Sequence, residues 1–453
     1  MSPLLLLIIL LVAVFVLLFL VLKVKIHAFI SLLLVSILTG LLAGMSPSVV
    51  LESIQKGMGG TLGFIAVVVG LGAIFGKILE ASGGAEALAI HLIGKFGEKK
   101  APWALSLTGF IIAIPVFFDV GFIILVPIIY ALAGKTKKSL LYYAIPLLAG
   151  LAATHSFIPP TPGPVAVADI LGANLGWVIL FGFIIGIPVV ILAGPVFARY
   201  IGKRINAQIP DEHLNTGMKN IRQENYPGFG LIVLIIGVPL VLILLNTFTG
   251  ILVDKKIINQ GLIPETIKFI GHPFSALIIA TLLALYLLGI RRGFSRKQLL
   301  DLSNASLAPA GLIILVTGAG GVLKQVLIDS GMGNTLAGTV ADLGINPVLL
   351  GWLIAAVVRV TQGSSTVAMI TSAGIMAPIL QSFNLAAPGV ALVVIAIASG
   401  ATVLSHVNDS GFWLVGKYLG LSEKQTLRSW TVMETIIAVT GLFLSYLIYF
   451  LIS

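Results

Sequence analysis

Residues Arg359 to Thr366 read Arg-Val-Thr-Gln-Gly-Ser-Ser-Thr, which puts a cation, an amide, a glycine and four hydroxyls into one short stretch. That donor set suits a small anionic solute. Free amides and hydroxyls at the start of a helix bind an anion without a full charge, so the turn Gly363, Ser364, Ser365, Thr366 is the natural cradle. Gln362 adds an amide beside it. Arg359 can pair with a substrate carboxylate, or it can clamp Asp409, Glu80 or backbone carbonyls. Three further stretches have comparable chemistry. Ile114-Pro-Val-Phe-Phe-Asp-Val-Gly121 holds Asp119 and Gly121 between apolar runs. An acid in hydrocarbon costs roughly 2.5–3.5 kcal/mol on insertion scales, which marks Asp119 as functional by default. Asp is also a preferred N-cap, so capping of a return helix is the competing role.

The third stretch is Thr154-His-Ser-Phe-Ile-Pro-Pro-Thr-Pro-Gly-Pro164. So many prolines cannot stay helical, and the unwound backbone around Pro160 and Thr161 is left free to face a ligand or ion. His155 can titrate near physiological pH or stay a neutral hydrogen-bonding group. The fourth is Ser405-His-Val-Asn-Asp-Ser-Gly-Phe-Trp413, where Asn408, Asp409 and Ser410 offer donors to hydroxyls and acceptors to a cation. A cytoplasmic helix end with a polar cap is the plainer reading there, and Trp413 and Lys417 would fit an interface. The expected arrangement has Gly363–Thr366 and Asn408–Ser410 holding a carboxylate and its hydroxyls. Asp119, His155, His406 and Asp409 are the candidates to take a proton.

Composition says where such residues must sit. The chain has 453 residues, 58% hydrophobic and only 10% charged, with a mean hydropathy of +1.12. A soluble domain carries about 25% charged residues, so this is a polytopic membrane protein. Cysteine is absent, which excludes disulfides, thiolate metal sites and a cysteine nucleophile. An intramembrane hydrolase needs a metal-binding His/Glu cluster or a nucleophile with its base. His155 and His406 are each isolated from such patterns. The net charge of +10 is accounted for by basic cytoplasmic loops rather than by nucleic acid.

The elements that must position the four stretches follow from hydropathy. Apolar spans read as 3–22, 26–44, 61–79, an interrupted 139–165 and 177–198. A second series reads 229–248, 272–290, 305–327, an interrupted 389–414 and 430–451. The apolar pairs 102–134 and 347–382 are re-entrant hairpins, because about 20 residues are needed to cross and each arm falls short. Non-helical backbone at that depth must line a cavity or be buried in protein. Residues 199–228 are polar and form a cytoplasmic linker between an N-terminal repeat, 1–198, and a C-terminal one, 229–453. The halves also match locally: Gly70-Leu-Gly-Ala, Leu79, Ser82 and Gly83 recur as Gly318-Ala-Gly-Gly, Leu327, Ser330 and Gly331. The first span has no basic residue ahead of it and Lys23 and Lys25 behind, which predicts a retained span with its N-terminus outside. Basic feet at Lys95–Lys100 and Lys135–Lys138 put the first hairpin's entry on the cytoplasmic side. The second hairpin has no Lys or Arg at either foot, 329–346 and 381–388, and opens outward. The expected fold is therefore all-α, with two inverted repeats of five spans and one hairpin each. The tips bearing Asp119 and Ser364 should meet in one polar chamber.

Taken together, the strings Gly72–Gly83, Ile114–Gly121, His155–Pro164, Leu323–Gly331, Arg359–Thr366 and Ser405–Trp413 resemble the gluconate permease (GntP) family of the ion transporter superfamily. The resemblance runs nearly end to end. It implies a bacterial inner-membrane symporter that couples uptake of gluconate or a related sugar or hydroxy acid to protons. It implies no cofactor beyond the coupling proton, no metal, and a homodimer. It also implies an elevator mechanism, in which hairpins and broken helices move as one body. Relatives handle glycerate, fructuronate and D-serine, so these remain alternative substrates. A sodium-coupled carboxylate carrier would share the plan but favours Ser-Asn-Thr at the hairpin tips, which is absent here.

Overall fold

The structure is a computed structural model, and it describes residues 3–210, 226–332 and 345–452. Among these residues the protein is entirely helical, and eight helices are long and apolar enough to cross a membrane. The middle of the expected linker and most of the expected outer foot of the second hairpin, 211–225 and 333–344, lie outside the described residues.

The chain opens with α1 (Pro3–Leu22) and α2 (Ala28–Leu42), then enters α3 (Pro47–Ala81). Ser46 caps α3 and Pro47 occupies its first position, a pairing that starts helices because the missing proline N–H would be unsatisfied there anyway. The helix therefore begins well before the apolar stretch 61–79 and runs for about 50 Å at 1.5 Å per residue. Its counterpart α14 (Arg296–Asp329) likewise starts ahead of the expected 305. A capping box sets that start: the Gln298 backbone N–H donates to the Ser295 hydroxyl at 3.2 Å, and the Ser295 backbone N–H donates to the Gln298 side-chain oxygen at 2.8 Å. The two long helices cross where Gly57 meets Gly321, so closely that a Cβ on Gly57 would stand 2.6 Å from the Gly321 carbonyl. Close backbone approach at small residues is how helices gain dispersion contact in lipid.

After α4 (Gly84–Phe96), the first hairpin forms from α5 (Ala101–Ile112) and α6 (Phe118–Thr136). Pro115 prevents the helix from continuing, and Pro127 is accommodated inside α6. The return arm is longer than expected from the apolar run. At 19 residues it reaches the length of a full span. The interrupted segment becomes α7 (Leu141–Phe157) and α8 (Pro162–Leu171), broken where the prolines demanded. Then α9 (Leu175–Ile191) continues through a π turn, Leu192–Val196, into α10 (Phe197–Arg204). The expected linker thus starts inside a helix. Its next residues are tied down, because the Ser139 hydroxyl donates to Ile205 O (2.7 Å) and accepts from Ala207 N (3.1 Å).

The second half runs α11 (Phe229–Asp254), α12 (Leu262–Ile270), α13 (Pro273–Ala284) and α14. The second hairpin follows as α15 (Pro347–Gln362) and α16 (Ser365–Leu380), each of 16 residues. Then α17 (Ala387–Gly400) unwinds over 401–409 before α18 (Ser410–Tyr418), and α19 (Glu423–Ile452) ends the described chain. Two packing groups result. The helices α1, α2, α3, α11, α13 and α14 pack along one another, while the hairpins and broken helices pack together through α5 on α7, α15 on α17 and α16 on α8.

Candidate functional site

A cavity of about 400 Å³ lies where the two hairpin tips and the second break converge. Three helices begin at its wall. α6 starts beside Phe117, Phe118 and Asp119, α16 beside Ser364, Ser365 and Thr366, and α18 beside Asp409, Ser410 and Gly411. Each start presents unpaired backbone N–H groups and the positive end of a helix dipole. Asp119 and Ser364 therefore share one chamber, as the paired hairpins required.

The hairpin tip is built by local rules. Gly363 ends α15 in the left-handed region at φ +85°, where glycine has no steric penalty. Ser364 then caps α16, its hydroxyl accepting from Val367 N at 3.4 Å. The Ser365 hydroxyl is buried with no partner in the protein, and so is one oxygen of Gln362. Buried polar atoms are normally satisfied, so an orphan hydroxyl on a cavity wall points to something that binds there.

Arg359 has its side chain 3% exposed and forms a 2.6 Å ion pair with Asp409. It also donates to the Gly363 carbonyl, while its Nε has no partner. Of the partners open to it from sequence, Asp409 and a carbonyl are the ones it takes. Glu80 is engaged elsewhere, by Lys77 at 2.7 Å. Asp409 in turn caps α18, accepting from Gly411 N at 3.0 Å, and accepts from the Ser405 hydroxyl. The Trp430 indole N–H donates to Ser405 at 2.6 Å. This chain of contacts fixes the position of the one buried cation in the wall.

The other expected residues divide. Asp119 stands in the first turn of α6, but the N-cap is Phe117 and no side-chain cap bond forms, so its capping role is not taken up. His155 lines the cavity from α7, with Nδ1 buried and unpartnered. Asn408 and His406 face the other way: the Asn408 amide donates to the Val360 and Thr361 carbonyls (3.0 and 3.3 Å), and His406 Nε2 lies 3.0 Å from Val360 O. Both satisfy the open carbonyls at the end of α15 and do not touch the cavity. Gly121 is a packing position, pressed on Leu151. Pro160 and Thr161 lie apart, in a tight crevice against Gly72 and the first hairpin tip. The Thr161 hydroxyl donates back to Ile158 O at 2.6 Å.

Several wall residues escaped the sequence reading. Glu434 and Trp430 come from α19, and Pro309, Leu312 and Ile313 from α14. The signal for Glu434 was available, since a lone acid in the middle of an apolar span is uncommon. The α14 residues carried no local signal. A smaller cavity of about 120 Å³ adjoins, sharing Phe117, Val120 and Pro309 with the first and reaching Lys77, Glu80 and Ser306.

Comparison with known proteins agrees over the whole length. The family described as GntP family permease matches residues 5–452. The gluconate permease of Bacillus subtilis (strain 168) is 40% identical over 92% of this chain and 93% of its own length. The low-affinity gluconate transporter of Escherichia coli (strain K12) is 40% identical over 94% of both. The Gnt-II system L-idonate transporter of the same strain is 38% identical over 92% of this chain and 93% of its own. Among solved structures, the YdaH transporter of Alcanivorax borkumensis, described as having an unusual topology, superposes with a TM-score of 0.64. It covers 93% of this chain and 98% of its own at 14% identity, a likeness of fold.

Proposed function

The chain belongs to the GntP family of permeases and is a multi-pass membrane transporter, and from that premise we propose that it imports gluconate or a related sugar-acid anion by proton symport. The observation that carries the reading is the convergence of three helix starts, the Arg359 guanidinium and the unpartnered Ser365 hydroxyl on one cavity. A carboxylate fits the helix starts, and polyol hydroxyls fit serine, threonine and carboxylate groups around it. The membrane potential opposes anion entry by about 2.3 kcal/mol per charge per 100 mV. One co-transported proton cancels that term and leaves the pH gradient as driver.

The same reading puts the protein in the bacterial cytoplasmic membrane with its N-terminus outside, as a homodimer. It gives the two halves inverted orientation and assigns an elevator motion to the hairpins and broken helices. Support for the motion is the division into two packing groups, one of which contains every helix start at the cavity. The L-idonate relative is almost as similar as the gluconate ones, which favours a sugar-acid site over one tuned to gluconate alone.

The test is uptake of labelled gluconate into proteoliposomes, competed by idonate, glycerate, fructuronate and D-serine. Saturable uptake driven by an acid exterior, abolished by a protonophore and indifferent to sodium is expected. Uptake that follows a sodium gradient at equal pH, or that never saturates, rules the proposal out.

A further inference from the structure

Glu434 lies in the first half of α19, with no other charged residue between Arg428 and Ile452. Its side chain is 3% exposed, it lines the 400 Å³ cavity, and its Oε1 has no hydrogen-bond partner. Few placements are harder for a carboxylate, because a buried charge without matched partners is strongly disfavoured.

The charges around it decide what it does. From α15 comes Arg359, and from the break before α18 comes Asp409; both line the same cavity as Glu434. Asp119 of α6 and His155 of α7 stand on the same cavity. The helices α9 and α17 and the π turn Leu192–Val196, which also pack on α19, carry no titratable side chain. α18 has Lys417 and Tyr418 at its far end, and on α19 itself Glu423, Lys424 and Arg428 lie near the start while Tyr446 and Tyr449 lie near the end. The Arg359 charge is already answered by Asp409 at 2.6 Å. An ionised Glu434 therefore adds a carboxylate beside a cation that is already paired, on a cavity that also holds Asp119, and a bound sugar acid would add another.

We propose that Glu434 is the proton-binding site linked to anion binding in this cavity. The proposal rests on the symport reading above and names its proton carrier. With a proton on Glu434 the pair Arg359–Asp409 is left balanced beside it, and an incoming carboxylate meets Arg359, Ser365 and the helix starts with one facing negative charge fewer. With Glu434 ionised, like charges oppose each other. The linkage is reciprocal: a proton on Glu434 tightens the anion, and the anion draws a proton onto Glu434. The step is proton association alone, a carboxylate becoming a carboxylic acid, with release of both on the other side of the membrane. Asp119 differs in being exposed, and Asp409 is held by Arg359 and a backbone N–H.

The experiment measures the gluconate Kd of the full-length protein in detergent across a range of pH, for the unaltered chain, Glu434→Gln and Asp119→Asn. One linked proton makes the unaltered chain bind about tenfold more weakly per pH unit on the alkaline side. Glu434→Gln is expected to bind with a Kd that no longer changes with pH, and Asp119→Asn to keep the slope. A slope that persists in Glu434→Gln overturns the assignment, and its loss in Asp119→Asn alone moves the proton there. A flat profile in the unaltered chain overturns the symport reading itself, a distinguishable result. Should Glu434→Gln fail to fold, Glu434→Asp is read instead. A displaced pH midpoint supports the assignment and an unmoved one overturns it.

Discussion

Arg359 is a structural part of the cavity wall. Its fork joins Asp409 on one side and the Gly363 carbonyl on another, so hairpin and broken helix are locked through one buried ion pair. Removing one member of such a pair leaves an uncompensated buried charge, which typically costs about 3–5 kcal/mol. Asp409→Asn is therefore expected to lower thermal stability in detergent sharply. Arg359→Met combined with Asp409→Leu should recover most of that stability yet bind no gluconate, a contrast that separates structure from binding. Ser365 behaves in the opposite way. Its hydroxyl has no partner in the protein, so Ser365→Ala should leave the melting temperature in place. Loss of a hydrogen bond to the solute is worth about 1 kcal/mol, read as a severalfold rise in gluconate Kd by calorimetry.

The two hairpins are positioned by backbone approach. Gly363 turns at φ +85°, and a Cβ there would run into the backbone of Asn408. Because a left-handed residue other than glycine costs about 1–2 kcal/mol before any collision, Gly363→Ala should displace the tip from the break that caps it. Transport is expected to fall more than tenfold while far-UV helicity stays the same. At the first hairpin the contact is with α3: a Cβ on Gly76 would meet the Pro115 carbonyl at the tip. Gly72 on the same helix faces the Pro160 carbonyl. In the other half Gly320 of α14 presses on Ile370 of α16. Within the repeated strings, Gly72 and Gly320 thus face a broken helix and a hairpin arm, while Gly318 and Gly321 pack on α3 itself. Gly76→Val should push the first hairpin off α3 and reduce the rate of uptake, with the fold still intact by size exclusion.

For the whole molecule, the direction in which the cavity opens is the decisive property. The chamber adjoins the smaller cavity beside Lys77, Glu80 and Ser306, at the end of α3 and the early part of α14, the side that the proposed topology gives to the cytoplasm. The chain has no cysteine, so single replacements report without background. In an elevator, Ser365→Cys should react with membrane-impermeant thiol reagents from either side in turn and be protected by gluconate. Ser306→Cys should react from the cytoplasmic side only. Labelling of both positions from one side alone, with or without gluconate, would argue for a fixed site and against a moving one.

Spans, breaks and hairpin tips were legible in the amino-acid order because their causes are local. Hydropathy decides what crosses lipid, prolines forbid continuation at Pro159–Pro164, and glycine followed by serine turns a chain at Gly363–Ser364. That is why four polar stretches could be picked out and two of their tips expected in one chamber. Starts of long helices were less legible: Ser46 and Ser295 begin α3 and α14 ahead of the apolar residues, since a cap outweighs hydropathy. What only the tertiary structure decided is who faces whom. Asp409 rather than Glu80 answers Arg359, Asn408 and His406 serve the carbonyls of α15, and Glu434 enters the cavity from the last helix. Each of these depends on contacts between segments tens to hundreds of residues apart, and on the rotation of each helix about its axis. In a span apolar on nearly every face, no periodicity records that rotation.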